Sequence, residues 1–254
     1  MSDVGKKLAF LDVDKFARFS SSTFRADKFY KTIGYGLGSV GHLMSLSAGR
    51  DSDVSSGFKA ISSNIGMARF VIRFTGAFES YEAFKNGSWY YGDDDAHLRR
   101  IVDLQAISML VYYPLEHLSY VGFVAPKVLN IDANRISRQS CMAWSIYVML
   151  DIYANFLRSS QDSRDCLLRI RAINKKEKEL LAQKDLTDDA RRVLVTGLQK
   201  RRKELYFVQL RNACYFPTCF HWSLENGLIP ASSVQFLCFL EAAIGIWRAW
   251  VNLS

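Results

Sequence analysis

Residues 58–84 read FKAISSNIGMARFVIRFTGAFESYEAF, and this stretch best predicts the fold. On a helical wheel the small, polar and basic positions share one narrow sector, which holds Lys59, Ser62, Gly66, Arg69 and Arg73. The rest of the circumference is mostly apolar, with Ile61, Ile65, Ala68, Ile72, Met67, Phe70, Val71 and Phe74. A wide apolar arc beside a thin basic sector is typical of a helix lying in a membrane interface, but also of a core helix in a soluble bundle. The pattern leaves both alternatives open.

The remaining sequence predicts an all-α chain. Only 4 of 254 residues are Pro, and no long segment alternates with the period of a strand. We predict one domain over 1–254, with amphipathic helices in 1–90 and apolar helices in 97–157. A charged helical hairpin follows in 158–204, and further apolar helices in 205–254. The individual helices are expected over 6–19, from Thr23 onward, and over 58–84, 97–113, 115–124, 135–158, 205–224 and 232–253.

Composition does not settle whether the chain enters a membrane. Hydrophobic residues make up 49% of the chain and charged residues 23%, with a net charge of +8. No window has the roughly 20 clean apolar residues of an ordinary spanning helix. Hydropathy alone slightly favours a soluble helical protein, yet the broken apolar segments also suit helices that lie in, or partly cross, a bilayer.

The candidate motifs for catalysis, metal binding or cofactor binding lack the residue spacing or the neighbouring secondary structure that such motifs need. Gly36, Gly38 and Gly41 spell GxGxxG, but they continue a helical pattern, so close helix packing is the better interpretation. Cys214, Cys219 and His221 lack zinc-ligand spacing. The basic clusters near 175–178 and 200–203 alternate with acids, which argues against nucleic acid. We expect no enzyme activity, metal or cofactor.

Two regions resemble the peroxin-11 family. Residues 210–228, LRNACYFPTCFHWSLENGL, resemble its C-terminal signature Asn-x-Cys-x-x-Pro followed by His-Trp-Ser-Leu-Glu-Gly-Gly-Leu, with Asn226 in place of one Gly. The matching positions are Asn212, Cys214, Pro217, His221, Trp222, Ser223, Leu224, Glu225 and Gly227. Near the N-terminus, Asp27, Lys28 and Tyr35 match the family's Arg-Asp-Lys segment and the Tyr that follows it.

The resemblance implies a helical protein of the peroxisomal membrane, or of the glycosomal membrane if the source is a kinetoplastid. It implies elongation of that membrane by self-association and insertion of an amphipathic helix, followed by recruitment of the dynamin-related fission machinery and its membrane adaptor. The matching helix is the one in 58–84. Ile61, Ile65, Phe70, Ile72 and Phe74 are then expected to enter the interface. Lys59, Arg69 and Arg73 are expected to contact anionic headgroups.

Two rival functions remain at this stage. In the first, the helices form a pore for small metabolites, with acids inside apolar segments lining the path, namely Asp103, Glu116 and Glu241. In the second, the chain is a soluble helical scaffold or enzyme.

Overall fold

A computed structural model describes residues 13–179, 184–251 and 253. Their regular structure is helical, which confirms the all-α prediction. The helices are α1 (Val13–Ser20), α2 (Thr23–Ala48), α3 (Asp53–Ile72), α4 (Gly76–Asn86), α5 (Ala96–Val124), α6 (Ala133–Glu179), α7 (Lys184–Ser223) and α8 (Ala231–Val251). A short 3₁₀ segment, Arg73–Thr75, joins α3 to α4.

Side chains at the helix ends explain several boundaries. Ser52 and Ser55 form a reciprocal capping box that starts α3. The carboxylate of Asp95 accepts from the backbone N–H of Leu98 and starts α5. Gly49 and Gly87 take left-handed conformations just after α2 and α4, which ends both helices without steric cost.

The predicted single helix over 58–84 is wrong, because the chain breaks at Arg73–Thr75 before α4 begins. A Cβ atom on Gly76 would lie 2.2 Å from the ring of Tyr113. Only glycine lets α4 pass so close to α5. The helical wheel cannot register this contact, because it comes from a distant part of the chain.

The boundaries of the later helices also differ from the prediction. Pro114 lies inside α5, so the two helices predicted over 97–124 are one. The charged hairpin is not a separate element, because α6 and α7 run straight from apolar into charged sequence. Residues 180–183 of the predicted hairpin, and the part of the predicted 6–19 helix before residue 13, lie outside the described residues.

The helices pack as a closed ring in the order α3, α2, α8, α7, α6 and α5, and α5 returns to contact α3. Each helix contacts the next, and α4 packs on α5. Gly34 and Gly41 of α2 allow a close approach to α3. A Cβ atom there would lie 2.9 Å from Ile65 Cγ2 and from the Ser55 carbonyl oxygen, respectively.

Burial in this ring is inverted relative to an ordinary soluble bundle. Among the described residues, the buried side chains include Lys31, Arg69, Glu116, Arg158 and Glu241, and most of the buried apolar ones are small. Large apolar side chains point outward from the ring helices, for example Leu43, Leu46, Leu104, Val111, Met142, Phe156, Phe236 and Trp247. Large exposed apolar side chains are typical of a surface that contacts another protein or a membrane.

Candidate membrane-contact surface and charged interior

The outer side of α3 is apolar. Val54, Ile61 and Val71 are exposed there, and Phe74 follows in the 3₁₀ segment with 61% of its surface exposed. Ile65 and Ile72 are half-buried, and the ring of Phe70 stacks on Tyr120 of α5. Of the predicted inserting side chains, Ile61 and Phe74 are therefore freely exposed, and the other three are partly covered by neighbouring helices.

An aromatic strip continues this surface along α4 and was missed by the sequence analysis. Phe78 and Tyr81 are 66% and 54% exposed, and Phe84 lies beside them at 44%. Together with Phe74 they follow each other at spacings of three and four residues, which is a signal present in the sequence. We call Val54, Ile61, Val71, Phe74, Phe78, Tyr81 and Phe84 the outer apolar surface.

The basic residues of α3 do not share one environment. Lys59 donates to Asp51 near the start of α3, and the pair is accessible to solvent. Arg69 and Arg73 instead point inward. Both guanidinium groups are engaged by carboxylates inside the ring, and their contact with headgroups stays a prediction. The wheel identified the polar sector, but it cannot indicate which sector faces the rest of the protein.

Arg69 forms a two-point ion pair with Asp27 of α2. The distances are 2.7 Å from Nε to Oδ1 and 3.1 Å from Nη2 to Oδ2, and Arg69 is 6% exposed. Burial raises the pKa of the Asp27 carboxyl, but the charge and hydrogen bonds of Arg69 outweigh burial and leave this pKa below its ordinary value. The pair joins a family-motif residue to a residue of the amphipathic helix.

Arg73 closes the seam between α3 and α5. Its Nη2 lies 2.6 Å from Glu116 Oε1, and its Nε donates to the carbonyl oxygen of Arg69. The hydroxyl of Tyr112 donates to the same Glu116 oxygen. A charge-assisted network of this kind is strong inside a protein, so Arg73 holds the C-terminal end of α3 against α5.

A second ionic group joins α2, α7 and α8. Lys31 donates to Glu241 and, at 2.7 Å, to the hydroxyl of Tyr215. Arg211 donates to Glu241 Oε1 through Nε at 2.9 Å and Nη2 at 2.7 Å. Two cations therefore share one carboxylate that is only 2% exposed.

The C-terminal family motif builds the turn between α7 and α8. His221 Nδ1 accepts from the backbone N–H groups of Leu228 and Ile229 at 3.0 and 3.2 Å. Gly227 has a φ of 64° and lies directly under the imidazole ring. The motif's His and Gly are therefore a structural pair that reverses the chain.

The other motif residues hold α7 in the ring. Asn212 donates to Asp151 of α6, and the Ser223 hydroxyl lies 3.1 Å from that of Ser145. Trp222 stacks on Trp144 and, on its other side, on Tyr35, which brings the two family motifs into contact. Cys214 is buried, Pro217 lies inside α7, and Leu224 and Glu225 follow the helix with exposed side chains.

A central cavity of ≈ 1350 Å³ lies inside the ring. Side chains from α2 through α8 line it, including Asp27, Lys28, Arg73, Glu116, Arg211 and Glu241. Of the acids predicted to line a path, Glu116 and Glu241 therefore face the cavity. Asp103 is not among the lining residues, although its carboxylate accepts from the hydroxyl of Tyr90, which is one of them.

Two further observations bear on membrane contact and on metals. α8 (Ala231–Val251) is the one described helix long and apolar enough to cross a bilayer, with a mean hydropathy of 1.4. Length and composition of a single helix are weak evidence of a span. Within residues 13–179 and 184–251 no cluster of His, Cys, Asp and Glu has the arrangement of a metal site.

The ring, its charged interior and its apolar exterior define an all-α protein suited to contact with a membrane. Residues 13–250 match the family Peroxisomal biogenesis factor 11 (PEX11), so the chain belongs to that family and is a peroxisomal protein that acts in peroxisome biogenesis. No curated protein and no solved structure matches the chain.

Proposed function

We propose that the chain elongates the peroxisomal membrane by inserting the outer apolar surface of α3 and α4 into one leaflet. One observation supports this proposal. Arg69 and Arg73 point into the ring, whereas Val71 and Phe74 are exposed on its outside. Insertion then buries apolar area while Arg69 and Arg73 keep their carboxylate partners inside the ring. Added area in one leaflet favours curvature. Lys59 stays accessible near the same surface and is the proposed headgroup contact of α3.

Reconstitution of the full-length chain into anionic liposomes tests this proposal. The variant Phe74→Ser/Phe78→Ser removes two side chains of the aromatic strip, and electron microscopy reports tubule formation. The control is Val193→Ser, which replaces an exposed apolar residue on the charged part of α7. We expect the double variant to enter liposomes without forming tubules, and the control to form them as the parent does. Tubules of normal number in the double variant contradict the proposal.

Self-association and recruitment of a dynamin-related fission machinery with its membrane adaptor complete the proposal. Membership of the PEX11 family supports these two steps. Cross-linking in isolated peroxisomes tests the first, and co-purification of the dynamin-related protein tests the second. Cells lacking the chain should contain fewer and larger peroxisomes, and normal peroxisome number there rejects the role. If the source is a kinetoplastid, the same role is proposed at the glycosome.

A pore for small metabolites is the second candidate, and the central cavity favours it. The cavity is lined by ionic groups, while the outside of the ring is apolar. Planar-bilayer conductance of the full chain tests it, with Glu241→Gln in the lining and Asp103→Asn outside the lining as the control. A conductance changed by E241Q but not by D103N supports a path through the ring. Absence of conductance in the parent chain removes this candidate.

A further inference from the structure

Four charged side chains meet on one side of the central cavity, and we call them the Lys28 cluster. They are Lys28 and Lys31 of α2, Arg211 of α7 and Glu241 of α8. Lys31 and Arg211 both bind Glu241. With Lys28, the cluster therefore holds three cations and one carboxylate, which leaves an excess positive charge inside the protein.

Lys28 has no acceptor in this cluster. Among the described residues its ammonium forms no hydrogen bond or ion pair, and its nearest recorded contact is the ring of Phe24, whose centroid lies 4.2 Å away. Lys28 Nζ, Arg211 Nε and Glu241 Oε1 surround a common point, since they lie 3.7, 3.7 and 3.8 Å from the position of a Cβ atom on Gly245. Glu241 already accepts from Arg211 and Lys31, so the charge of Lys28 has no partner of its own there.

Such a site is typical of one that is completed by an anion. The ammonium of Lys28 offers three unused N–H donors, and Arg211 retains Nη1 beyond its bonds to Glu241. Arginine and lysine together are the usual protein ligands of phosphate. The excess charge of the cluster matches that of a phosphate dianion.

We propose that the Lys28 cluster binds the phosphate group of a phosphomonoester inside the central cavity, with Lys28 and Arg211 as its ligands. The cavity volume of ≈ 1350 Å³ leaves ample room for an organic group beside the phosphate. The aromatic rings of Trp144, Tyr147 and Tyr215 line the same space and offer apolar contact to that group. The inference is independent of membrane bending and of conduction, because it requires only binding.

The phosphate group has two possible sources, a soluble phosphate compound or a lipid headgroup, and two probes distinguish them. The full-length chain is purified in an uncharged detergent and titrated with inorganic phosphate or with lysophosphatidate, each at constant ionic strength set with chloride. Calorimetry reports binding, and thermal unfolding reports stabilisation. Binding of both probes indicates a site open to soluble phosphate compounds, and binding of lysophosphatidate alone indicates a lipid.

Lys28→Met and the matched Lys85→Met separate a ligand site from general charge attraction. Lys85 is an exposed lysine on α4 outside the cavity lining. We expect K28M to weaken binding at least about tenfold, as loss of a charge-assisted contact predicts. K28M should also raise the melting temperature of the ligand-free protein, since it removes an uncompensated buried charge. K85M should change neither quantity.

Several results overturn this inference without touching the proposed function. One is the failure of both probes to bind the parent chain. Another is equal affinity in K28M and the parent, or equal loss in K85M. A melting temperature lowered by K28M without ligand identifies Lys28 as a purely structural cation. We expect K28M to form tubules normally. A failure of phosphate binding can therefore be distinguished from a failure of membrane elongation.

Discussion

Arg69 of α3 and Asp27 of α2 are joined by two parallel hydrogen bonds of 2.7 and 3.1 Å between their charged groups. The pair orients the amphipathic helix, because it holds the polar sector of α3 toward the ring and leaves Val71 outside. One partner belongs to a family motif and the other to the amphipathic helix, and 42 residues of sequence separate them.

Removing one partner of this pair should be costly. Arg69→Met leaves the Asp27 carboxylate buried and unpaired, and we expect the free energy of unfolding to fall by about 3–5 kcal/mol. The double variant Asp27→Leu/Arg69→Met should recover part of this loss, because no buried charge remains. Denaturation in detergent measures both. Lys59→Met breaks the accessible pair with Asp51 and is the control, with little expected change. Equal effects of R69M and K59M contradict this account.

Replacing Gly41 of α2 and Gly66 of α3 by alanine should have opposite effects. Gly41→Ala places a Cβ atom 2.9 Å from the Ser55 carbonyl oxygen, a backbone atom that cannot move aside, and should destabilise by about 1–3 kcal/mol. Gly66→Ala meets no atom within 4 Å and should stabilise α3 by up to about 1 kcal/mol through helix propensity. Melting temperatures of the two variants, measured side by side, check both signs. A stable G41A protein indicates that α2 and α3 are not packed this closely.

The turn between α7 and α8 should depend on His221 and Gly227 as a unit. His221→Ala leaves two backbone N–H groups without their acceptor, and Gly227→Ala forces a Cβ atom to within 2.3 Å of the imidazole while φ stays at 64°. Hydrogen exchange across 224–230 should become faster in both variants. In the double variant the increase should be smaller than the sum of the two single increases, since one ring mediates both effects. Additive increases indicate two unrelated contributions.

Stability should rise with pH above neutrality because of Lys28. Burial, together with the charges of Arg211 on α7 and Lys31 on α2, lowers the pKa of Lys28 to about 7, against the opposing charges of Glu241 on α8 and Asp27 on α2. The unfolded chain keeps an ordinary lysine pKa of about 10.4, so between these values it binds more protons than the folded chain, and the free energy of unfolding increases with pH. Melting temperature against pH should show this slope in the parent and in Lys85→Met, and a flatter slope in Lys28→Met. Parallel curves for all three proteins contradict the prediction.

Some features of α3 and α4 were predictable from the sequence, and others were not. The sector holding Lys59, Arg69 and Arg73 was visible on a helical wheel, because the 3.6-residue period fixes which side chains share a face. The inward direction of that sector was not visible, since it depends on carboxylates of α2 and α5. The aromatic strip at Phe78, Tyr81 and Phe84 has a helical spacing that the sequence shows. The predicted inserting side chains nevertheless extended only as far as Phe74.

The sequence by itself determined that this chain is helical, where its apolar arcs lie and that its motifs are those of the PEX11 family, because period, capping residues and local composition act between near neighbours. Tertiary structure alone decided that the ring turns its charges inward, that α3 breaks before Gly76 and that Lys31 and Arg211 converge on Glu241. These features arise from contacts between residues far apart in the chain. The local sequence defines the polar and apolar faces of each helix. Packing and the pairing of buried charges decide which of these faces points into the protein.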